Sequence, residues 1–188
     1  MSGITKGKRK ILIRLIIAAA TAAAVFALLY YSGLFLPEWA EWHEVDITCE
    51  NENEPDRVVL KDRRVRAYKD GECFFETPLM CRVQNAIFTD IDRDGSRELI
   101  LLNFNIGRYG DHRPFWVRFD APVWRQHIYI YDYESDRRLM HPIWMASDIG
   151  MEAADCEIED KQVLALTDRY GNRTRWMWIS FGLRCVDQ

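Results

Sequence analysis

The chain has 188 residues, 48% apolar and 29% charged, with a formal charge of −4. The charge is uneven: the first 14 residues hold five bases and no acid, and everything after Tyr31 holds all 29 acids with 20 bases, a balance of −9. An acidic body of that size argues against binding nucleic acid or anionic lipid heads and suits cations or basic partners.

Residues 1–10 read as a basic tail. Ile11–Tyr31 (ILIRLIIAAATAAAVFALLYY) is apolar apart from Arg14. A helix rises about 1.5 Å per residue and the hydrocarbon core is about 30 Å thick, so about 20 such residues span it. Arg14, one turn from the start, can extend its charge to the headgroups. Lys6, Lys8, Arg9, Lys10 and Arg14 precede or open the run, and Glu38, Glu41 and Glu44 follow it. The positive-inside rule therefore predicts a single-pass anchor with a cytoplasmic N-terminus and an extracytoplasmic body. The rival reading is a cleaved signal peptide using the alanines 18–24, but a signal core is about 7–15 residues, shorter than this run. The Ala18–Ala24 face would also allow close helix packing, as in an accessory subunit of a membrane complex.

Residues 32–55 read as a juxtamembrane linker, with room for a helical turn at Glu38–Trp42, and residues 56–188 as one β domain. Short strand-like runs dominate: Val58–Leu60, Val65–Tyr68, Cys73–Phe75, Ala86–Thr89, Leu99–Asn103, His127–Tyr133, Ile143–Met145, Val163–Thr167 and Thr174–Ile179. Lys69-Asp70-Gly71 predicts a tight hairpin. HIYIYDY (127–133) is apolar on both faces, which belongs to a strand covered on both sides. The stretches from Asp56, Ser96 and Asp160 repeat one pattern weakly: aliphatic strand, turn, aromatic strand. The expected fold is mainly β: stacked antiparallel sheets, sandwich-like or partly propeller-like and open.

Five cysteines (Cys49, Cys73, Cys81, Cys156, Cys185) in an oxidising compartment predict some pairing, with Cys73–Cys81 and Cys156–Cys185 as candidates. No zinc spacing is present.

The most specific motif is Asp90-Ile-Asp92-Arg-Asp94-Gly95-Ser96-Arg-Glu98. Acids at alternate positions let a tight turn direct several oxygens at one cation. Gly95 supplies the sharp bend, and the Ser96 carbonyl can add a ligand. Calcium suits such a flexible all-oxygen shell better than magnesium. Leu101 stands where an EF-hand places its bidentate glutamate, and apolar strands flank the loop. TDIDRDGSRELILL instead resembles the FG-GAP or VCBS-type repeat of integrin-like β-propeller proteins. That resemblance implies calcium held by Asp90, Asp92, Asp94, Ser96 and Glu98, and a binding or adhesion role. The bland alternative is an Asp-rich turn whose carboxylates only cap backbone N–H groups.

The segment 105–124 holds Arg108, Asp111, His112, Arg113, Trp116 and Trp124. It reads as a binding loop for a protein or glycan: arginines clamp anionic groups and tryptophans stack on rings. The competing expectation is that its aromatics pack over the core. The four histidines lack zinc-pair spacing, and no nucleophile motif is present. An extracytoplasmic hydrolase acting on cell-envelope or polysaccharide material is therefore the alternative to a membrane-anchored binding or scaffolding module.

Overall fold

The computed structural model describes residues 6–146, 149–160 and 162–187, so the first five residues of the basic tail lie outside it. The chain forms two compact units, Met1–Leu36 and Pro37–Gln188.

The first unit is helix α1 (Lys6–Tyr31) and its C-terminal turn. Its apolar stretch, Gly7–Tyr31, is long and apolar enough to cross a membrane, and none of it is buried by protein. A signal sequence shares these properties. The hydroxyl of Thr21, in the middle of the run, is satisfied locally: Thr21 Oγ1 donates to the Ile17 carbonyl at 2.9 Å. Gly33 ends the helix in the left-handed region, with the Gly33 and Leu34 N–H groups turned back to the carbonyls of Tyr30 and Leu29.

The second unit contains twelve strands among the described residues. They are β1 (Val45–Thr48), β2 (Arg57–Lys61), β3 (Arg64–Lys69), β4 (Glu72–Glu76), β5 (Arg82–Thr89), β6 (Glu98–Ile106), β7 (Trp124–Glu134), β8 (Leu139–Met145), β9 (Ala153–Glu159), β10 (Val163–Asp168), β11 (Arg173–Ile179) and β12 (Gly182–Cys185). Each consecutive set of four makes one antiparallel meander, giving three four-stranded sheets. The turns explain the close pairing within the first sheet. Asp70 and Gly71 both have positive φ (52° and 77°), as a two-residue hairpin with right-handed strand twist requires. Asp62 and Arg63 do the same between β2 and β3 without a glycine.

The central sheet (β5–β8) separates two apolar clusters. Leu99 and Leu101 of β6 and Tyr129, Tyr131 and Tyr133 of β7 face the first sheet, meeting Val58, Leu60, Val65 and Ala67. Phe75 lies on Tyr131 and Phe74 on Tyr133, with ring centroids 5.1 and 5.3 Å apart. Ile100, Leu102, Ile128 and Ile130 face the third sheet, meeting Ala153, Cys156, Leu164 and Leu166. The expected mainly β fold of stacked antiparallel sheets is thus present, and the three sheets do not close into a ring. The stretches that repeat in the sequence cover β2–β4 in the first sheet, β6–β8 in the second, and β10 and β11 in the third.

Ion pairs across strands cover the two outer faces. On the first sheet Arg57 pairs with Asp46, and Arg64 and Arg66 with Glu76. On the third, Arg173 meets Glu157 and Glu159, and Arg175 meets Glu159. Charged outer faces end the stack without a further sheet, since each pair remains solvated.

Side-chain amides join the inner edges. Gln84 Nε2 on β5 donates to the carbonyls of Ala153 and Ala154, Asn85 Nδ2 to that of Cys156 at 2.9 Å, and Gln126 both donates to and accepts from the Ala153 backbone. These bonds satisfy edge groups that no neighbouring strand reaches.

Three readings are corrected. The region taken as a linker, 32–55, supplies β1, because Val45 and Ile47 are needed to cover the first cluster. Glu38–Trp42 forms a turn rather than a helix. All five cysteines are free thiols: Cys81 is buried while Cys73 lies exposed on β4, and Cys156 is buried in the cluster under the third sheet while Cys185 lies on β12.

Because each cluster depends on a different outer sheet, Leu60→Ala and Leu164→Ala should each destabilise the fold by about 2–5 kcal/mol. The double variant should be additive within about 0.5 kcal/mol, as distant sites are. Urea unfolding of the detergent-solubilised chain, followed by circular dichroism, measures this; two separate transitions would refute a single cooperative stack.

Candidate metal centre

The acidic loop joins β5 to β6, the two most buried strands to precede β7. Ile91 enters the core below it with 1% of its surface exposed, anchoring the loop in the cluster under the third sheet. Gly95 takes φ +95° with open space around its Cβ position, so backbone conformation, not crowding, demands glycine there. Arg93 also has positive φ, 73°.

The four acids converge. One oxygen each from Asp90, Asp92, Asp94 and Glu98 can be chosen so that all lie within 4.8 Å of one another. Loop N–H groups hold them. Asp90 accepts from Arg93 at 2.7 Å and Gly95 at 3.2 Å, Asp92 from Asp94 at 3.1 Å, and Asp94 from Ser96 at 2.7 Å. Glu98 is 1% exposed and accepts from the Ile91 N–H at 2.8 Å. These bonds occupy one lone pair per oxygen and leave others free. They are also the bonds of a capped Asp-rich turn, so they fit both readings.

The four acids concentrate negative charge at the loop. Among the described residues no Lys, Arg or His forms an ion pair with any of the four acids; neighbouring Arg97 is committed to Glu54. Burial, then the charges of Asp92, Asp94 and Asp90, push the Glu98 pKa up to about 7. Burial also raises that of Asp92, with Asp94, Asp90 and Asp132 adding to it. Bringing four carboxylates this close costs Coulomb energy that a bound cation would offset. The donor set, hard oxygens at close quarters, fits a calcium ion.

Beside the loop lies a polar cleft of about 380 Å³ lined by Asn51, Glu54, Ser96, Arg97, Asp132 and Ser135, among others. Sequence reasoning missed it, since Glu54 belongs to the region read as a linker and Asp132 to a strand. Glu54 is buried and pairs through both oxygens with Arg97.

The 105–124 loop springs from the opposite end of β6. Its base is closed by Gly107 N–H to the Val123 carbonyl at 2.8 Å. Asp120 accepts from the N–H groups of Arg108 and Tyr109 at 2.9 and 3.0 Å. Partial burial works against the Asp120 carboxylate, but these bonds and one from Ala121 outweigh it and hold its pKa below the usual range. A Cβ on Gly107 would lie 2.3 Å from Asp120 Oδ2, so the clamp requires glycine.

The six predicted loop residues divide. Arg108, Arg113 and Trp116 are exposed. Asp111 and His112 are exposed too, although Asp111 accepts from Asn105 Nδ2 at 2.7 Å and His112 stands edge-on to Tyr129 at 5.5 Å. Trp124 is half-buried at the start of β7. Asp111 and Arg113 line a shallow groove of about 490 Å³, whose lining contains no aromatic ring. The expectation that the loop aromatics pack over the core is corrected: Phe115, Trp116 and Phe119 are 94%, 69% and 79% exposed. His127, by contrast, is fully buried, with both ring nitrogens 3.1 Å from backbone carbonyls of Ala146 and Gly107.

A second cluster, Glu41, His43 and Asp155, was not foreseen. His43 Nε2 lies 2.9 Å from Asp155 Oδ1, which also accepts from Asn85 and the Cys156 N–H. It acts as part of the seam between the second and third sheets.

No family model matches this chain, and no curated protein or solved structure does either.

The Glu98 environment predicts a pH dependence in chelator. Between about 4.5 and 7 the folded state holds a proton that the unfolded chain has lost, so stability falls as pH rises through that window. The loss attributable to this group is on the order of 3 kcal/mol at most. Glu98→Gln should flatten the melting-temperature profile across this range in chelator. An unchanged slope in the variant would show that Glu98 is not the group responsible.

Proposed function

We propose that this chain is a membrane-anchored binding or scaffolding module: α1 holds it in the bilayer, and its β unit works outside the cytoplasm with the 90–98 loop pinned by calcium. The observation that carries the calcium reading is the convergence of four carboxylates, one nearly fully buried, with no cationic side chain paired to them. Asp90, Asp92, Asp94 and Glu98 would hold the ion through side chains and Ser96 through its carbonyl. Bound calcium supplies the positive charge that the cluster lacks.

The residues already in place would then act as a turn clamp. Asp90 and Asp94 fix the loop backbone through N–H groups, Ile91 roots it in the core, and Glu98 ties the first residue of β6 to it. The role is structural: the site lies between two core strands, β5 and β6. This agrees with the resemblance of TDIDRDGSRELILL to FG-GAP or VCBS-type repeats. The orientation rests on the five bases that flank the start of the helix and the acids that follow it. The exposed 105–124 loop supplies the contact surface of the module.

Melting the full chain with calcium and with chelator tests the proposal. Extracellular calcium sites bind with dissociation constants of about 10⁻⁴–10⁻³ M, and a tenfold excess of ligand over that constant stabilises by about 1.4 kcal/mol. Asp92→Ala should abolish the calcium-induced rise while lowering the chelator value little. A wild-type chain that melts at the same temperature with and without calcium refutes the metal role.

A further inference from the structure

We propose that the Arg108–Val123 loop is a lipid contact: it seats Phe115, Trp116 and Phe119 in the phospholipid headgroup layer of the membrane that carries α1, on whichever side the β unit faces. This rests on the anchor reading above and names the partner of the module's exposed loop.

Three observations within the β unit carry it. The first is exposure. Three large aromatic side chains lie within five residues of one another, with Phe115 and Trp116 in edge-to-face contact at 4.8 Å. Isolated exposed apolar side chains are ordinary, but a contiguous aromatic group marks an interaction surface. None of the three lines the neighbouring groove, so they do not form the wall of a sugar or peptide pocket. They present rings outward, as interfacial aromatics do.

The second is charge. Arg108, Arg113 and Arg118 are exposed between and beside these rings, and among the described residues neither Arg113 nor Arg118 forms an ion pair. Of the two acids of the loop, Asp120 is half-buried and accepts from the backbone, while Asp111 bonds Asn105 and stays exposed. The outward surface thus sets three arginines against one exposed aspartate among its aromatics, a net positive charge of the kind that meets lipid phosphates and the glycerol layer together. The whole-body charge of −9 argues otherwise only as an average, with Glu38, Glu41 and Glu44 exposed where the chain enters the β unit. The acidic loop sits at the far end of β6, eight residues and about 26 Å away along the strand. Salt screens exposed charges over about 8–10 Å.

The third is placement. The β unit begins at Pro37, and Trp39 and Trp42 pack on Phe104 with centroids 6.2 and 5.8 Å apart. Phe104 lies two residues before the end of β6, where the loop begins. The loop and the point where the chain enters from the helix thus occupy the same end of the β unit. Only residues 32–36 separate Tyr31 from Pro37, so the tether between the two units is short in sequence. The Asp120 clamp orders the loop before contact, which lowers the entropic cost of docking.

The test uses the full chain reconstituted in phosphatidylcholine–phosphatidylglycerol vesicles whose acyl chains carry bromine near the headgroup. Bromine quenches indole on contact. Subtracting Trp116→Phe from the wild type isolates one of the seven tryptophans. Shallow bromine should quench the wild type more than Trp116→Phe, and Arg113→Glu with Arg118→Glu should lose most of that difference. Flotation in alkali is scored alongside. If the chain floats but wild type and Trp116→Phe are quenched equally, the lipid contact is refuted while the anchor stands, and the loop is left for a soluble protein or glycan. If the chain does not float, the anchor reading fails and this proposal falls with it.

Discussion

A sheet that is apolar on both faces has to be covered on both faces, and the organisation of the β unit follows from this. In β6, Leu99 and Leu101 alternate with Ile100 and Leu102, and in β7 the tyrosines alternate with Ile128 and Ile130. Leaving either face wet would expose several large side chains, each worth about 1.5–3 kcal/mol on burial. The first and third sheets provide the cover, and each needs only one apolar face to do so. Their other faces are free to carry arginine–glutamate pairs, which is why three sheets suffice and the stack ends.

The same strand sets the functional geography. A nine-residue strand buried along almost its whole length is a rigid spacer, and its two ends carry loops of opposite character. At one end the acids of 90–98 are crowded together because Ile91 and Glu98 are both drawn into the core. At the other, Gly107 and Asp120 close a loop whose arginines and aromatics are left outside. Separation along β6 keeps the acidic cluster from neutralising the basic loop. It places the four converging acids and the exposed aromatics at opposite ends of one body.

Buried polar side chains mark where the sheets meet. Gln84, Asn85 and Gln126 are among the most buried polar groups in the chain, and all bond backbone atoms of β9. An edge strand without a ladder partner leaves N–H and C=O groups that must be satisfied, and amide side chains satisfy them across a wider gap than a strand pair allows. His43 and Asp155 extend this seam, so a cluster with metal-ligand chemistry serves to hold two sheets together.

Local spacing by itself determined much of this protein. The apolar run of α1, nine of the twelve strands, the Asp70-Gly71 hairpin, the two-faced character of HIYIYDY and the alternate acids of 90–98 are legible because each depends on neighbours one to four residues away. The strands that escaped notice, β1, β9 and β12, are short or carry acids and alanines, and they form only because a neighbouring strand or cluster requires them. Tertiary structure alone decided that Glu54 and Asp132 border the acidic loop, that His127 is buried while Arg113 and Trp116 turn outward, and that all five thiols stay free. Those outcomes depend on which sheet covers which, and that is a relation between residues far apart in the chain that no local pattern records.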